Sequence, residues 1–248
     1  MLRKLFLLIY SYFYFIHDWF YFTKLIRLKK NKRFKLPNWK ERWICLKDRV
    51  VNTEYDSHYI YHTAWASRII KSIQPNEHVD ISSTLFFSTT ISAFVPVRFY
   101  DIRPPIIELD NLETGKVDLI SLPFEDESFH SLTCMHVVEH IGLGRYGDQV
   151  DPDGDLMAMK ELERVTAKLG NLLFVVPVGI PKIQFNAHRI YSYRMICEIF
   201  SSMNLIEFSF IDDKGNLIQN ASESYSDSQR YGCGCCLLYT SPSPRDWT

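Results

Sequence analysis

The chain has 248 residues, 46% hydrophobic and 15% aromatic, so it can bury one substantial core with an appendage. The first 42 residues hold 11 of the 28 Lys and Arg but only 2 of the 29 Asp and Glu, and the acidic remainder argues against nucleic acid as the main partner. The six cysteines lack the spacing of a disulfide framework, which indicates a reducing compartment.

The N-terminal segment, residues 1–38, is predicted to form an apolar and basic helix. Residues 5–22 are apolar at nearly every position, although Asp18 is costly in lipid. The basic cluster over 24–35 is typical of a helix on an anionic membrane. The segment therefore spans a membrane, lies on it or packs on the protein. In the membrane alternatives the positive flank keeps the body cytoplasmic, attached to the inner face of the membrane.

Residues 39–234 form the main predicted domain. The predicted elements, in chain order, are a helix over 57–73, a strand over 79–81, a helix over 85–94, a strand ending at Asp101, strands over 117–119 and 131–135, a helix over 155–170, a strand over 171–178, a helix over 193–203 and a strand over 205–212. Asp155 is the expected N-cap of its helix and Gly170 the expected stop. The alternation predicts an α/β fold with a doubly wound, mostly parallel sheet.

Ligands of such sheets bind beyond the carboxyl ends of the strands, where the strand order reverses. Four groups of polar residues are predicted at that edge: Asp80 with Ser82 and Ser83, then Asp101, then Asp118, then His136 to His140. A carboxylate that ends the second strand is well placed to accept both ribose hydroxyls of a nucleoside. Each position alone is equally typical of a turn or cap.

The order of these motifs carries a resemblance. From Asp118 to Pro177 the chain has an acidic residue, then "LPFEDESF", "HVVEH" and a helix ending "ELERVTAKLG" before an apolar strand. This order resembles the seven-stranded S-adenosylmethionine-dependent methyltransferases, which have a Rossmann-like fold. More closely, "MHVVEHIGLGRYGD", "DPDGDL" and "FNAHRIYS" resemble the methyltransferase-like family known as domain of unknown function 268, over about residues 39–234.

The resemblance implies a binding site for S-adenosylmethionine. Asp80, Ser82 and Ser83 would lie at the methionine end, Asp101 would bind the ribose, and Asp118 and Leu119 would hold the adenine. The usual glycines of the first turn are absent here, so a residue with positive φ in that turn would be strained.

The acceptor side is predicted from "HVVEH" and two polar loops. His136, Glu139 and His140 either line the acceptor pocket or pack a turn. A long loop rich in Gly and Asp, 142–156, offers Arg145 and Asp148 to a polar acceptor. Among the residues after the fifth strand, Asn186 and Arg189 join the same rim, and His188 is the first candidate for a general base.

Two patterns in the sequence also occur in metal sites, but each has another explanation here. The H-x-x-E-H pattern of 136–140 also occurs in inverted zinc proteases, but it needs a continuing helix, and Gly142 and Gly144 follow at once. His58 and His62 lie four residues apart on one predicted helix. No third ligand is evident nearby in the sequence, so packing histidines are favoured and no metal site is expected.

Residues 235–248 are predicted to be non-native. The string "CLLYTSPSPRD", residues 236–246, matches the translation of a sequence that resembles a widely used transposase sequencing adapter. We therefore expect the last strand to be truncated, and residues after Gly234 to lack regular pairing and packing.

The sequence thus predicts a methyltransferase-like enzyme that acts on a small polar or glycan-related acceptor. The alternative is a catalytically silent methyltransferase fold that serves as a scaffold near a membrane. Peripheral contact with an anionic membrane is one of the alternatives for the N-terminal segment, and nucleic acid is not expected as a partner.

Overall fold

The computed structural model describes residues 2–29 and 33–240. The chain forms two compact units, Met1–Tyr55 and Asp56–Thr248. The first unit contains helix α1 (Leu2–Leu28) and a 3₁₀ turn over Trp39–Glu41. Within it, the Trp39 ring lies 6.1 Å from Phe15 and 5.1 Å from Trp19. Within the described ranges, no helix combines the length and hydropathy that a membrane crossing requires.

The second unit is built on a large sheet. Its strands are β1 (His78–Ile81), β2 (Val97–Asp101), β3 (Leu112–Lys116), β4 (Phe129–Met135), β5 (Thr166–Val178), β6 (Lys182–Gln184), β7 (His188–Ile190), β8 (Met203–Ile211), β9 (Leu217–Ile218) and β10 (Gly232–Thr240). Eight of them form one sheet in the order β3-β2-β1-β4-β5-β10-β8-β9, and β6 and β7 form a separate hairpin. Strands β1 to β5 run parallel, and β10 is antiparallel to both β5 and β8.

Five helices accompany this sheet: α2 (Ser57–Ile73), α3 (Leu85–Ile91), α4 (Gly154–Val165), α5 (Tyr193–Ile199) and α6 (Glu223–Ser226). The Asp56 side chain accepts hydrogen bonds from the first turn of α2 and starts it at the predicted residue. Residues of α2 and α3 belong to one buried core, and residues of α4 and α5 to another. Both faces of the sheet are therefore covered, which explains the continuous apolar run of its central strand.

Several predicted element boundaries are wrong. Helix α3 ends at Ile91 and α5 at Ile199, both earlier than predicted, and Asp155 lies within α4, whose N-cap is Asp153.

The third strand is Leu112–Lys116 rather than 117–119, because its pairing with β2 ends at Lys116 opposite Asp101. Val117 and Leu119 are buried just beyond it, so their apolar signal reflects packing and not ladder pairing.

Helix α4 ends at Val165, and Gly170 is no helix stop but part of β5. A Cβ at Gly170 would come within 2.6 Å of the Ala167 oxygen and 3.0 Å of the Phe129 oxygen, so glycine permits the close approach of β4 and β5 at this irregularity.

The expectation of an unpaired chain after Gly234 is wrong for residues 235–240. Strand β10 pairs with β5 as far as Tyr239 and with β8 as far as Thr240. Cys235, Cys236 and Leu238 are buried in the core. A run of β-compatible residues between two strands with free edges pairs regularly whatever its origin. The remaining predicted non-native residues, 241–248, lie outside the described residues.

Candidate functional site

A crevice of about 480 Å³ opens at the carboxyl ends of β1, β2 and β4. The strand order reverses at β1, which lies between β2 and β4, so this is the topological switch point of the sheet. The crevice is lined by residues at and after the ends of β1, β2, β3 and β4, and its lining includes Ser82, Asp101, Arg103, Asp118, Leu119, His136, Val137, His140, Ile141, Tyr146, Asp148, Gln149 and Asp151. Its size falls in the range of small-molecule sites.

Two of the predicted acidic residues share this crevice. Asp101 ends β2, and its Oδ1 accepts a hydrogen bond of 2.7 Å from the Arg103 backbone N–H. Its Oδ2 has no hydrogen-bond partner among the described residues. The Asp118 carboxylate accepts from the Ile120 N–H at 3.2 Å, and the apolar side chain of Leu119 lies beside it. The arrangement offers carboxylate oxygens next to an apolar wall.

The glycine-free turn after β1 takes the conformation that glycine usually supplies. Ser82 has φ 58°, in the left-handed region that is unfavourable for residues with a Cβ. Its backbone N–H and its hydroxyl both donate to the Tyr100 oxygen, at 2.7 and 3.2 Å. These two bonds hold the strained turn in place. Ser82 lines the crevice, whereas Ser83 is buried and its hydroxyl accepts from the Met135 N–H at 3.0 Å.

Asp80 does not line the crevice as the sequence predicted. It lies on a strand that is buried throughout, so its side chain is enclosed in the core. Thr133 donates to one carboxylate oxygen at 2.7 Å, and Ser88 donates to the other. Burial raises the pKa of this carboxyl to about 6, although the surrounding hydroxyl donors oppose the shift. Asp80 therefore stabilises the turn from inside the core, and its carboxylate is not part of the crevice lining.

The rim loop, residues 142–153, is organised by Asp148. Its carboxylate accepts from the backbone N–H groups of Gly142 at 2.9 Å, Gly144 at 3.3 Å and Tyr146 at 3.1 Å. Burial alone would raise the pKa of Asp148, but these backbone donors outweigh it and lower the pKa. Gly142 has φ 78°, and a Cβ there would overlap the Asp151 oxygen. Asp148 thus shapes the crevice wall with both oxygens already bonded.

Two predicted substrate-binding arginines instead hold the protein together. The buried Arg189 guanidinium donates to the oxygens of Ile141 at 2.6 Å and Pro152 at 3.0 Å. Arg145 donates to the Ala187 oxygen at 3.1 Å. Neither they nor Asn186 line the crevice. These contacts join residues far apart in sequence, so the motifs could not reveal them.

His140 lines the crevice, and His188 does not. The His140 Nδ1 lies 2.6 Å from the Ala187 oxygen. The Arg145 guanidinium lies 3.1 Å from the same nitrogen. The shorter contact, to a carbonyl oxygen that only accepts, favours the tautomer with the proton on Nδ1, in which Nε2 is the basic nitrogen. His188 Nε2 is 2.8 Å from the Gln184 Oε1, and burial lowers its pKa. The geometry thus brings His140, and not His188, into the crevice.

His136 also lines the crevice, and its Nδ1 is 2.8 Å from Oε1 of the buried Glu139. Residues 138–140 form a single 3₁₀ turn, and His136 itself has φ 58°. The two histidines of the H-x-x-E-H pattern therefore do not lie on one continuing α-helix, as the zinc-protease interpretation requires.

Sequence reasoning missed the aromatic residue at the mouth of the crevice. The guanidinium groups of Arg103 and Arg145 lie 4.9 and 5.2 Å from the centre of the Tyr146 ring. This cation–π pair connects the loop after β2 with the rim loop. The Gly-rich stretch "GLGRYGD" that surrounds Tyr146 is the signal in the sequence for this part of the site.

The chain matches a protein family over the second half of this site. The family described as "Caenorhabditis protein of unknown function, DUF268" matches residues 117–232, from just after β3 to the first residue of β10. The match covers a little under half of the chain, and it is a similarity of this segment alone. The DUF268 segment contains Asp118, the 136–140 turn and the rim loop, whereas Ser82 and Asp101 precede it. No curated protein matches the sequence.

Solved structures with the same fold are methyltransferases. The N-methyltransferase NodS from Bradyrhizobium japonicum, in complex with S-adenosyl-L-homocysteine, has a TM-score of 0.54 at 10% identity over 75% of this chain and 89% of its own. A candidate methyltransferase from Bacillus halodurans has a TM-score of 0.53 at 16% identity, over 73% of this chain and 99% of its own. The Burkholderia thailandensis 1,6-didemethyltoxoflavin-N1-methyltransferase has 1,6-didemethyltoxoflavin and S-adenosylhomocysteine bound. Its TM-score is 0.51 at 10% identity, over 73% of this chain and 79% of its own. The chain therefore has a methyltransferase-like, Rossmann-like fold.

Proposed function

We propose that this protein is an S-adenosylmethionine-dependent methyltransferase that acts on a small polar or glycan-related acceptor. The observation that carries the proposal is the shared crevice, in which Asp101 and Asp118 flank an apolar wall at the switch point of the sheet. Two solved proteins of the same fold are in complex with S-adenosylhomocysteine, which supports the choice of cofactor.

The residues of the crevice fit the adenosine part of that cofactor. The free Oδ2 of Asp101 can accept from a ribose hydroxyl, and Asp118 can accept from the adenine amine. Leu119 and Val137 supply apolar surface for the flat base. At the methionine end only Ser82 of the predicted residues lines the crevice, so the backbone of this turn takes the role that Asp80 and Ser83 were expected to share.

Methyl transfer demands mainly that an acceptor be held in line with the donor, with a base where the acceptor is a hydroxyl or ammonium group. When bound, the cofactor supplies an electrophilic methyl group on a sulfonium. His140 is the proposed base, because its basic Nε2 belongs to a side chain that lines the crevice. The polar side chains of Gln149 and Asp151 line the same wall and would recognise a hydrophilic acceptor.

Calorimetric titration of the full chain with S-adenosylmethionine tests the cofactor. We expect saturable heat for the wild type. Asp101→Ala should weaken binding roughly 10- to 100-fold, the loss expected for hydrogen bonds to a charged group. Asp110→Ala removes an exposed carboxylate outside the crevice and serves as the matched control. No heat with the folded wild type would overturn the proposal.

That negative result would favour the second candidate, a catalytically silent scaffold with a methyltransferase fold. The specific observation behind it is the turn after β1, where a serine replaces glycine and Asp80 is enclosed by hydroxyl groups. A scaffold predicts that Asp101→Ala leaves the cellular function unchanged, whereas cofactor use predicts its loss in a folded protein.

We also propose that α1 makes peripheral contact with anionic membrane. Phe6, Phe13 and Phe20 recur every seven residues and are 68%, 69% and 66% exposed. Lys24 and Arg27 follow in the last turns of the helix. Exposed aromatic rings next to basic side chains suit the interface between headgroups and water.

A further inference from the structure

A second polar cluster adjoins the crevice, and the proposed methyl transfer does not use it. His58 of α2, His136 after β4 and Cys233 of β10 each offer one ligand atom, and these atoms lie within 4.8 Å of one another. The Cys233 Sγ is 3.3 Å from the His136 Nε2, and the His58 and His136 rings stack with centroids 5.7 Å apart. Three distant segments thus bring two imidazoles and a thiol together.

A third histidine lies beside this cluster and has no hydrogen-bond partner among the described residues. His62 is 0% exposed, and neither of its ring nitrogens has a partner among the described residues. Its ring centroid is 5.1 Å from that of His136. His62 lies one turn after His58, so both side chains are on the same side of α2. Burying unsatisfied polar nitrogen is costly, and such a group in a native protein points to an additional ligand.

Glu139 orients the cluster. Its Oε1 accepts from the His136 Nδ1 at 2.8 Å, so the proton of a neutral imidazole is on Nδ1 and Nε2 presents its lone pair toward Cys233. The carboxylate is 1% exposed, and its Oε2 lacks a partner among the described residues. A buried carboxylate that holds the far nitrogen of an imidazole is the usual support of a metal-binding histidine.

We propose that His58, His62, His136 and Cys233 bind one divalent ion of the zinc type, with Glu139 as the positioning residue. His58, His136 and Cys233 supply the three ligand atoms that lie together, and His62, whose ring is beside that of His136, would supply the fourth. Zinc prefers four such nitrogen and sulfur ligands, whereas magnesium and calcium prefer oxygen. Binding releases the thiol proton of Cys233 to solvent as the sulfur–metal bond forms. The ion would join α2, the turn after β4 and β10 beside the wall of the crevice.

The site does not depend on the proposed cofactor, since none of its ligands is assigned to adenosine binding. Metal content and S-adenosylmethionine binding are therefore measured separately. A protein that binds metal but no cofactor contradicts only the methyltransferase proposal, and the reverse result contradicts only the metal site.

The test uses the full chain without a polyhistidine tag. Elemental analysis after dialysis should find about one zinc per chain. After removal of that metal, titration with Co²⁺ should reach an end point near one equivalent, with a thiolate-to-cobalt charge-transfer band and the visible spectrum of a tetrahedral site.

Four variants distinguish ligation from packing. Cys233→Ser should abolish the charge-transfer band, and His62→Leu, which restores apolar packing, should weaken Co²⁺ binding while the protein stays folded. Glu139→Gln should weaken it roughly 10- to 100-fold with the band retained. Cys197→Ser changes a cysteine outside the cluster and should have no effect.

Two results would overturn the metal site. One is wild-type protein that takes up no zinc or Co²⁺ near one equivalent. The other is an unchanged cobalt spectrum in the folded Cys233→Ser and His62→Leu variants. Circular dichroism of each variant establishes that the comparison concerns folded protein.

Discussion

The position of a residue in the sequence predicts whether some aspartates reach the crevice. For others, the packing around the side chain determines it. Asp101 and Asp118 reach the crevice because Asp101 ends β2 and Asp118 comes two residues after the end of β3. The sequence predicted the first position, whereas it placed Asp118 inside the third strand. Asp80 also lies near a strand end, but β1 is buried on both faces, so the same residue type becomes part of the core. Which strand is central depends on pairing across the sheet, which a single sequence does not display.

The buried state of Asp80 predicts a pH-dependent stability. Its pKa rises from an ordinary value of 3.8 to about 6, so the folded protein binds the proton more tightly than the unfolded chain does. Stability from this group is full below about pH 4 and is lost as the pH rises to about 6. The amide of Asp80→Asn does not ionise in this pH range. The free energy of unfolding of the variant minus that of the wild type should therefore increase by about 3 kcal/mol as the pH rises from about 4 to above 6.

Urea unfolding at several pH values measures this difference. Asp110→Asn alters an exposed carboxylate and should show a flat difference over the same range. A flat profile for Asp80→Asn as well would mean that the hydroxyl groups of Ser88 and Thr133 fully compensate for burial.

At the scale of elements, the rim loop depends on a strand far from it in sequence. Arg189 of β7 is ion-paired with Asp155 at 3.4 Å and donates to carbonyl oxygens at both ends of the loop. The Gly and Asp content and the length of this segment predicted a functional loop, and residues of the loop line the crevice. The sequence did not show that Arg189 holds the rim loop in place, because the 182–190 hairpin has no strong periodic signal.

Replacing Arg189 should loosen the rim loop. Arg189→Met keeps the length of the side chain but leaves Asp155 buried without its ion-pair partner, which costs about 3–5 kcal/mol. We expect a lower free energy of unfolding and faster amide hydrogen exchange over 142–153. Arg194→Met, which removes an exposed arginine from α5, is the control and should change neither. Unchanged exchange in the rim loop would show that Asp148 alone holds it.

The exposed phenylalanines of α1 predict binding to anionic vesicles. The full chain should sediment with vesicles that contain phosphatidylserine, and less so at high salt, because the basic residues act through screened charge. Changing Phe6, Phe13 and Phe20 to Ser should reduce sedimentation. Phe86→Ser, at an 85% exposed position on α3, should not. Equal sedimentation of the triple variant and wild type would contradict the interfacial role.

At the scale of the whole molecule, the strand–helix alternation was enough to predict the doubly wound sheet. It was not enough to place β10, because the coding resemblance of 236–246 suggested a sequence without structure. Its first residues nevertheless include Cys236 and Leu238, which are buried among the strands on either side. Pairing follows from backbone geometry and apolar side chains, neither of which depends on how the residues were acquired.

Truncation tests this central strand. A chain that ends at Thr240 keeps the whole of β10 and should retain a cooperative thermal transition. A chain that ends at Gly234 loses the burial of Cys235, Cys236 and Leu238 and most of the ladder to β5 and β8. We expect it to lose cooperative unfolding by calorimetry. If both chains unfold with the same midpoint, residues 235–240 contribute nothing to the sheet.

The position of β10 also sets an order of events during synthesis. Strand β8 is made before β10, yet β10 separates it from β5 in the finished sheet. The parallel half of the protein can assemble while the ribosome is still translating, but β8 and β9 have no edge to join until the later strand has left the exit tunnel. During that interval the apolar edge of β5 is open, and this is where a chaperone would be needed to prevent misassembly between nascent chains.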